Sequence, residues 1–106
     1  MSADIRPILK KLKKGLMRIY GDQVDRILLY GSRARGDERP DSDIDILVVL
    51  KEDFNYSEML RLSSDFAASL SLENDVVISR AFVSKEQFEN KQTPFLMNVR
   101  REEVVL

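Results

Sequence analysis

The chain has 106 residues, of which 43% are hydrophobic and 33% charged, and its net charge is −1. That length suits one domain, residues 1–106, with a single modest core, and the near-zero charge gives no bulk drive toward nucleic acid or a membrane. There is no cysteine and no histidine, which excludes disulfides, thiolate or imidazole metal sites and His-based catalysis and leaves acid–base or metal work to carboxylates, lysines, tyrosines and hydroxyls.

Apolar residues Ile5, Ile8, Leu9, Leu12, Leu16 and Ile19 recur at helical spacing and predict a helix from about Asp4 to Tyr20. Pro7 suits its first turn, which places the N-cap near Ala3 or Asp4, and Gly21-Asp22 ends it. Lys10, Lys11, Lys13, Lys14 and Arg18 occupy much of the remaining surface; a solvated face is the ordinary account of them, an acidic partner or RNA the alternative. No signal peptide and no apolar run of membrane-spanning length are visible, so a cytoplasmic protein is expected.

A β-rich run follows at about Asp25–Tyr30. Gly31-Ser32 closes it. Glycine there lets the backbone approach a ligand. Ser32, followed by Arg33-Ala34-Arg35, suits the cap of a short helix whose hydroxyl and N–H groups face a phosphate. Arg33 and Arg35 add charged donors. Standing alone, the stretch is equally an ordinary turn with solvated arginines. Gly36, Pro40 and Asp41-Ser42 punctuate the connector.

Ile44–Leu50 is apolar on both parities, the pattern of a strand buried on both faces. It opens with Asp43 and Asp45, which point to the same face of a strand with Cα atoms roughly 6.5–7 Å apart. Two carboxylates so placed can close on divalent cations. Mg²⁺ suits them because it prefers oxygen ligands and shares its shell with phosphates and water. By itself Asp-x-Asp is a short motif that chance often supplies.

After a loop at Lys51–Tyr56, a second helix is expected from Ser57, as N-cap, to Leu70, with Met59, Leu60, Leu62, Phe66, Ala67 and Leu70 on its apolar side. A third strand is expected at Asp75–Val83. A strand–helix–strand unit is normally parallel, which would start this strand beside the preceding one and bring Asp75 near Asp43 and Asp45. Ser84 to Gln87 reads as a capping box opening a short helix to about Asn90. Thr93-Pro94 reads as N-cap and first residue of a last helix to about Arg101, with Phe95, Leu96 and Val99 buried. Val104–Leu106 fits either a short edge strand or a tail. The fold class is α/β: a small mixed sheet of three or four strands, helices mainly on one face, with the first two strands antiparallel because their connector is short.

Gly31-Ser32, ten residues, then Asp43-Ile44-Asp45 resembles the hallmark of the nucleotidyltransferase superfamily with the DNA polymerase β type of catalytic core. The fuller run GSRARGDERPDSDID and the closing TPFLMNVRREEVVL are similar to its minimal nucleotidyltransferase (MNT) branch. The resemblance implies Mg²⁺, two ions, held by Asp43 and Asp45, with Asp75 as a third carboxylate that ligates metal or takes the proton of the attacking hydroxyl. It implies ATP as substrate, its pyrophosphate positioned by Gly31 and Ser32, with Arg33 contributing charge. Larger members carry an added domain for the acceptor, so the acceptor is expected from another chain. Small MNT proteins are typically paired as antitoxins with HEPN-domain toxins, which implies a hetero-oligomer and AMP transfer to a toxin tyrosine. Two alternatives stand beside this: an antitoxin that works by binding alone, and the catalytic subunit of a two-chain enzyme acting on RNA or a small molecule. Autonomous nucleic-acid or membrane binding is not expected.

Overall fold

A computed structural model describes residues 4–36 and 43–106. The expected turn signals Pro40 and Asp41-Ser42, and the cap candidate Ala3, lie outside the described residues. Helix α1 (Arg6–Tyr20) leads through a single 3-10 turn into strand β1 (Val24–Tyr30), then the one-turn helix α2 (Ser32–Arg35) and strand β2 (Ile44–Leu50). Helix α3 (Tyr56–Asn74), strand β3 (Ile78–Ser84), helices α4 (Lys85–Asn90) and α5 (Pro94–Glu102) and strand β4 (Val104–Val105) follow. Among the described residues no helix is long and apolar enough to cross a membrane.

The four strands form one mixed sheet in the order β3-β2-β1-β4. β1 is antiparallel to β2 and to β4, while β2 and β3 are parallel, as the short connector and the helical crossover require. β2 lies inside the sheet, and each of its residues from Ile46 to Leu50 is essentially inaccessible, which is why both parities of its sequence are apolar. Ile44, Ile46, Val48 and Leu50 pack under the two long helices with Leu12, Leu16, Tyr20, Met59 and Leu70. Leu47 and Val49 face the other way, onto Phe88, Leu96 and Val99 of the short helices α4 and α5.

The helices meet closely where Gly15 of α1 is buried against the Phe66 ring of α3; a Cβ on Gly15 would lie 2.0 Å from that ring. A glycine that weakens a helix interior therefore lets an aromatic ring lie flush on α1. Behind it, the Tyr20 hydroxyl bonds the Met59 carbonyl at 2.5 Å and the Ser63 hydroxyl at 2.8 Å. Arg80 of β3 donates to the same Ser63 hydroxyl and to the Leu60 carbonyl. This buried network ties α1, α3 and β3 together.

Local signals explain most element ends. Ser84 and Gln87 form the reciprocal capping box, and Thr93 caps α5 with Pro94 in its first turn. α3 is capped two residues earlier than expected, by Asn55 rather than Ser57, through the Glu58 N–H; Asn is as good a cap as Ser. The cap of α1 falls on Ile5 with no side-chain bond, since Asp4 is engaged by the Arg6 guanidinium and N–H instead. β3 starts at Ile78, three residues later than expected, because α3 runs on to Asn74 and the chain then turns at Asp75. The closing segment is an edge strand, with Leu28 and Leu29 paired to Val105 and Val104.

The buried hydroxyl network gives a direct test. Tyr20→Phe removes the hydroxyl that bonds Met59 and Ser63 while Arg80 still holds Ser63, and urea unfolding should show a loss of about 1–2 kcal/mol with an unchanged denaturant slope. An unaltered midpoint would show that the network adds nothing to stability.

Candidate active site

β1 ends at Tyr30 beside the second residue of β2, because the antiparallel register pairs Tyr30 with Asp45. The chain must therefore reverse direction directly above Asp45. Gly31 makes that reversal at φ +77, in the region that favours glycine. A Cβ there would lie 2.4 Å from the Asp45 carboxylate oxygen. The Gly-Ser turn and the Asp-x-Asp strand, ten residues apart in sequence, are thus in van der Waals contact, and only glycine permits it.

Ser32 is the first residue of α2 and not its cap; the cap position belongs to Gly31, whose carbonyl accepts the Ala34 and Arg35 N–H groups. Arg33, the candidate for phosphate charge, is only 7% exposed. Arg35 is half-exposed, and its Nη1 donates to the Glu102 carboxylate at 3.0 Å.

Asp43 is exposed just ahead of β2, and Asp45 is partly buried. Alternation puts both on the face shared with Leu47 and Val49, the face that α4 and α5 cover further along. Burial raises the Asp45 carboxyl above the usual carboxylate range. The Asp43 charge pushes it the same way, Arg35 pulls it back and Glu102 raises it again. Tyr30, beside Asp45, is pushed up to about 12 by burial, by the Asp45 charge and by Tyr56. At neutral pH its phenol is a protonated donor at the edge of the acidic pair.

Asp75 lies ahead of β3 rather than on it. It is exposed at the C-cap of α3 in the left-handed region, φ 51, a conformation that Asp tolerates better than most residues. The carbonyl of Val77 receives the Ile44 N–H at 2.9 Å, and the β3 residue level with Asp45 is Ser79. Among the described residues no group of three acidic side chains is arranged to hold a metal ion.

One site residue was not visible in the sequence: Glu102, the last residue of α5. Its Oε2 accepts the Gly31 N–H at 3.0 Å while its Oε1 accepts from Arg35. The only signal was an acid in the last turn of a helix, where the dipole disfavours one. By contrast Arg100, also in the last turn of α5, is structural. It donates to the Phe88 carbonyl and lies over the Phe88 ring, 5.5 Å from its centroid, fastening α5 to α4. A cleft of about 540 Å³ opens between Ala34, Arg35, Asn98, Arg101 and Glu102. A larger groove of about 760 Å³, lined by Phe54, Tyr56, Phe82 and Phe95 among others, follows the β3 edge. It meets the site at Phe95, whose ring stands edge-on to Tyr30 at 5.5 Å.

The family model for polymerase beta nucleotidyltransferases matches residues 10–104. The protein adenylyltransferase MntA of Thermococcus cleftensis is 35% identical over 81 residues, 76% of this chain and 80% of that protein. Among solved structures, a toxin–antitoxin crystallised with AMP-PNP superposes with a TM-score of 0.64 at 21% identity, covering 91% of this chain and 69% of the other. An MNT antitoxin in complex with a tri-AMPylated HEPN toxin of Shewanella oneidensis gives 0.55 at 18% identity, covering 92% and 68%. These two share the fold. With a glycine turn pressed on a paired-carboxylate strand and a family match that spans nearly the whole sequence, the chain belongs to the polymerase beta nucleotidyltransferases.

Proposed function

We propose that the protein transfers AMP from ATP to a hydroxyl of a partner protein, a tyrosine of a HEPN-type toxin, and so acts in the cytoplasm as the antitoxin of a pair. The observation that carries this is the contact of Gly31 with the Asp45 carboxylate, which sets a phosphate-compatible turn directly over two aligned carboxylates. The T. cleftensis relative bears the name of a protein adenylyltransferase. The fold neighbours are a toxin–antitoxin bound to an ATP analogue and an antitoxin beside an AMPylated toxin.

The donor set fits Mg²⁺. Asp43 and Asp45 offer hard oxygens on one face, and like-charge strain between them raises Asp45, a repulsion that a dication relieves. Two carboxylates without a third match the way Mg²⁺ is commonly held, with substrate phosphates and water completing the shell. When bound, the metal supplies Lewis-acid charge to the triphosphate and lowers the pKa of the attacking hydroxyl.

The chain's own residues do the rest. Asp43 and Asp45 would hold the metal at the open end of β2, beside the Gly31 turn. The Ser32 hydroxyl and the turn around it hold the leaving pyrophosphate; the Gly31 N–H is already engaged by Glu102, so Gly31 contributes by its shape. Arg33, buried within the turn, and Arg35 add positive charge opposite the developing negative charge. The acceptor oxygen forms a bond to the α-phosphorus as the bond to pyrophosphate breaks, in line, and the hydroxyl proton passes to a carboxylate of the site. Neutral Tyr30 borders the pair as a hydrogen-bond donor.

The test follows AMP itself. With Mg²⁺, ATP labelled on the α-phosphate and the product of the adjacent gene, wild type should leave an AMP adduct on the partner. Asp43→Ala/Asp45→Ala should reduce it by on the order of 10³-fold or more. Asp75→Asn should stay within about threefold, since Asp75 sits at the C-cap of α3 rather than on β3; a loss as large as that of the double variant would make it the third carboxylate. If both wild type and the double variant silence the partner equally with no adduct, the protein is a binding antitoxin instead. Label on RNA or a small molecule would identify the two-chain enzyme.

Asp45 also gives a test without a partner. Its folded pKa is raised, so the fold favours the protonated form; that stability is fully present below the ordinary value of 3.8 and is lost as pH rises through the folded value. At pH 7 ionised Asp45 therefore weighs against the metal-free fold. Asp45→Asn should melt higher than wild type at pH 7, and the advantage should fade as the pH is lowered toward 3.8. A variant that melts lower at pH 7 would show the carboxylate to be structural.

A further inference from the structure

Glu102 sits where two electrostatic effects oppose it. It is the final residue of α5, at the negative end of the helix dipole. It also lies close enough to Asp45 to raise that carboxyl further. An acid in this place weakens both the helix end and the acidic pair unless its contacts compensate. Those contacts are specific: one oxygen takes the Gly31 N–H and the other takes Arg35, each at 3.0 Å, with the side chain 19% exposed. The two donors flank α2, so a single carboxylate spans the turn from entry to exit.

The support beneath Glu102 is rigid. α5 is anchored by Leu96 and Val99 in the cluster with Leu47 and Val49. Immediately after it β4 pairs with β1 at Leu28 and Leu29, and the Leu106 N–H bonds the Ile27 carbonyl. Glu102 is thus held between two elements packed on the strands that carry the site. What it fixes matters because Gly31 touches the Asp45 carboxylate. A turn free to lift would leave that carboxylate without a wall and would move Ser32 with it.

We propose that Glu102 is a positioning residue of the nucleotidyl-transfer site: its carboxylate clamps Gly31 and Arg35, holding the turn against Asp45 in the setting that binds metal and triphosphate. It acts through hydrogen bonds rather than as a third ligand, since both oxygens are engaged by protein donors and no three-acid metal cluster occurs among the described residues. The assignment rests on the nucleotidyl-transfer reading above. A second consequence is that α5, and any partner that displaces it, controls the geometry of the site from its C-terminal end.

The experiment compares wild type, Glu102→Ala and Glu102→Gln by NMR. It follows the Gly31 amide signal, paramagnetic broadening of Asp43 and Asp45 by Mn²⁺ with ATP, and the melting temperature. Glu102→Ala should shift the Gly31 amide, speed its hydrogen exchange and weaken Mn²⁺–ATP binding about 10–100-fold, the range seen when a partner that orients metal ligands is removed. Its melting temperature should stay within a few degrees of wild type. Glu102→Gln keeps an oxygen for the Gly31 N–H and should recover binding to within about fivefold. The proposal is overturned if Glu102→Ala binds Mn²⁺–ATP as wild type does. It is also overturned if Ala and Gln are equally impaired with a large fall in melting temperature, which would mark a purely structural role. If wild type itself shows no Mn²⁺–ATP binding at Asp43 and Asp45, the nucleotidyl-transfer reading fails first. A wild type that binds, with an alanine variant that binds equally, sinks only the role of Glu102.

Discussion

The contact between the Gly31 backbone and the Asp45 carboxylate is the constraint on which the site depends. It exists because β1 and β2 are paired so that Tyr30 lies opposite Asp45. A one-residue slip of that register would turn Asp45 toward the α1–α3 core and Ile46 toward the site. The register is secured by burial on both faces: Leu28 and Leu47 lie in one apolar cluster, Leu29, Ile44 and Ile46 in the other. The central strand is therefore more than a core element. Its fully buried stretch from Ile46 to Leu50 is what forces two carboxylates to a fixed place at its N-terminal end.

That placement has an energetic cost that the rest of the fold absorbs. Asp45 is partly desolvated and repelled by Asp43, Tyr30 is held from ionising, and Glu102 adds a third negative charge nearby. Arg35 offsets part of this, and Arg33 lies buried in the adjacent turn. Sites whose electrostatics work against the empty fold are where a ligand of opposite charge contributes most. The imbalance among Asp43, Asp45 and Glu102 fits a dication and a triphosphate arriving together better than it fits a surface meant only to be covered by a protein partner.

Much of this was legible in the sequence because it is local. The double-faced apolar run marks β2 to the residue, Ser84-Gln87 and Thr93-Pro94 carry their own caps, and Gly31-Ser32 with Asp43-Ile44-Asp45 is a motif of short, fixed spacing. What was not legible depended on choices between neighbours of similar propensity. Asn55 competed with Ser57 as the cap of α3. The far end of that helix ran past Leu70 because Ser71–Asn74 is compatible with helix, which moved the start of β3 and left Asp75 at a helix end rather than on a strand. The register sets Ser79 level with Asp45, and because Asp75 and Ser79 have the same parity, alternation alone could not have told one from the other. The burial of Arg33 was likewise not legible: a charged residue in a polar turn is ordinarily solvated, and only the packing of α2 reveals it.

Glu102 was hidden for a different reason, sequence distance: 71 positions separate it from Gly31. No local pattern links a helix-terminal acid to a turn in the first third of the chain. The connection arises from topology, because β4 returns the chain to the outer side of β1 and so brings the end of α5 level with the end of β1. The turn that bears the Gly-Ser signature is consequently held by both ends of the fold: by β2 through Asp45, and by α5 through Glu102. Closing a loop of that length is entropically unfavourable, yet here the Leu96 and Val99 packing and the β1–β4 pairing have already brought the two segments together, so the clamp costs little beyond fixing one glutamate side chain. A site assembled in this way is set only when the last helix is docked, which makes the α5 surface the natural place for another chain to strengthen or loosen it.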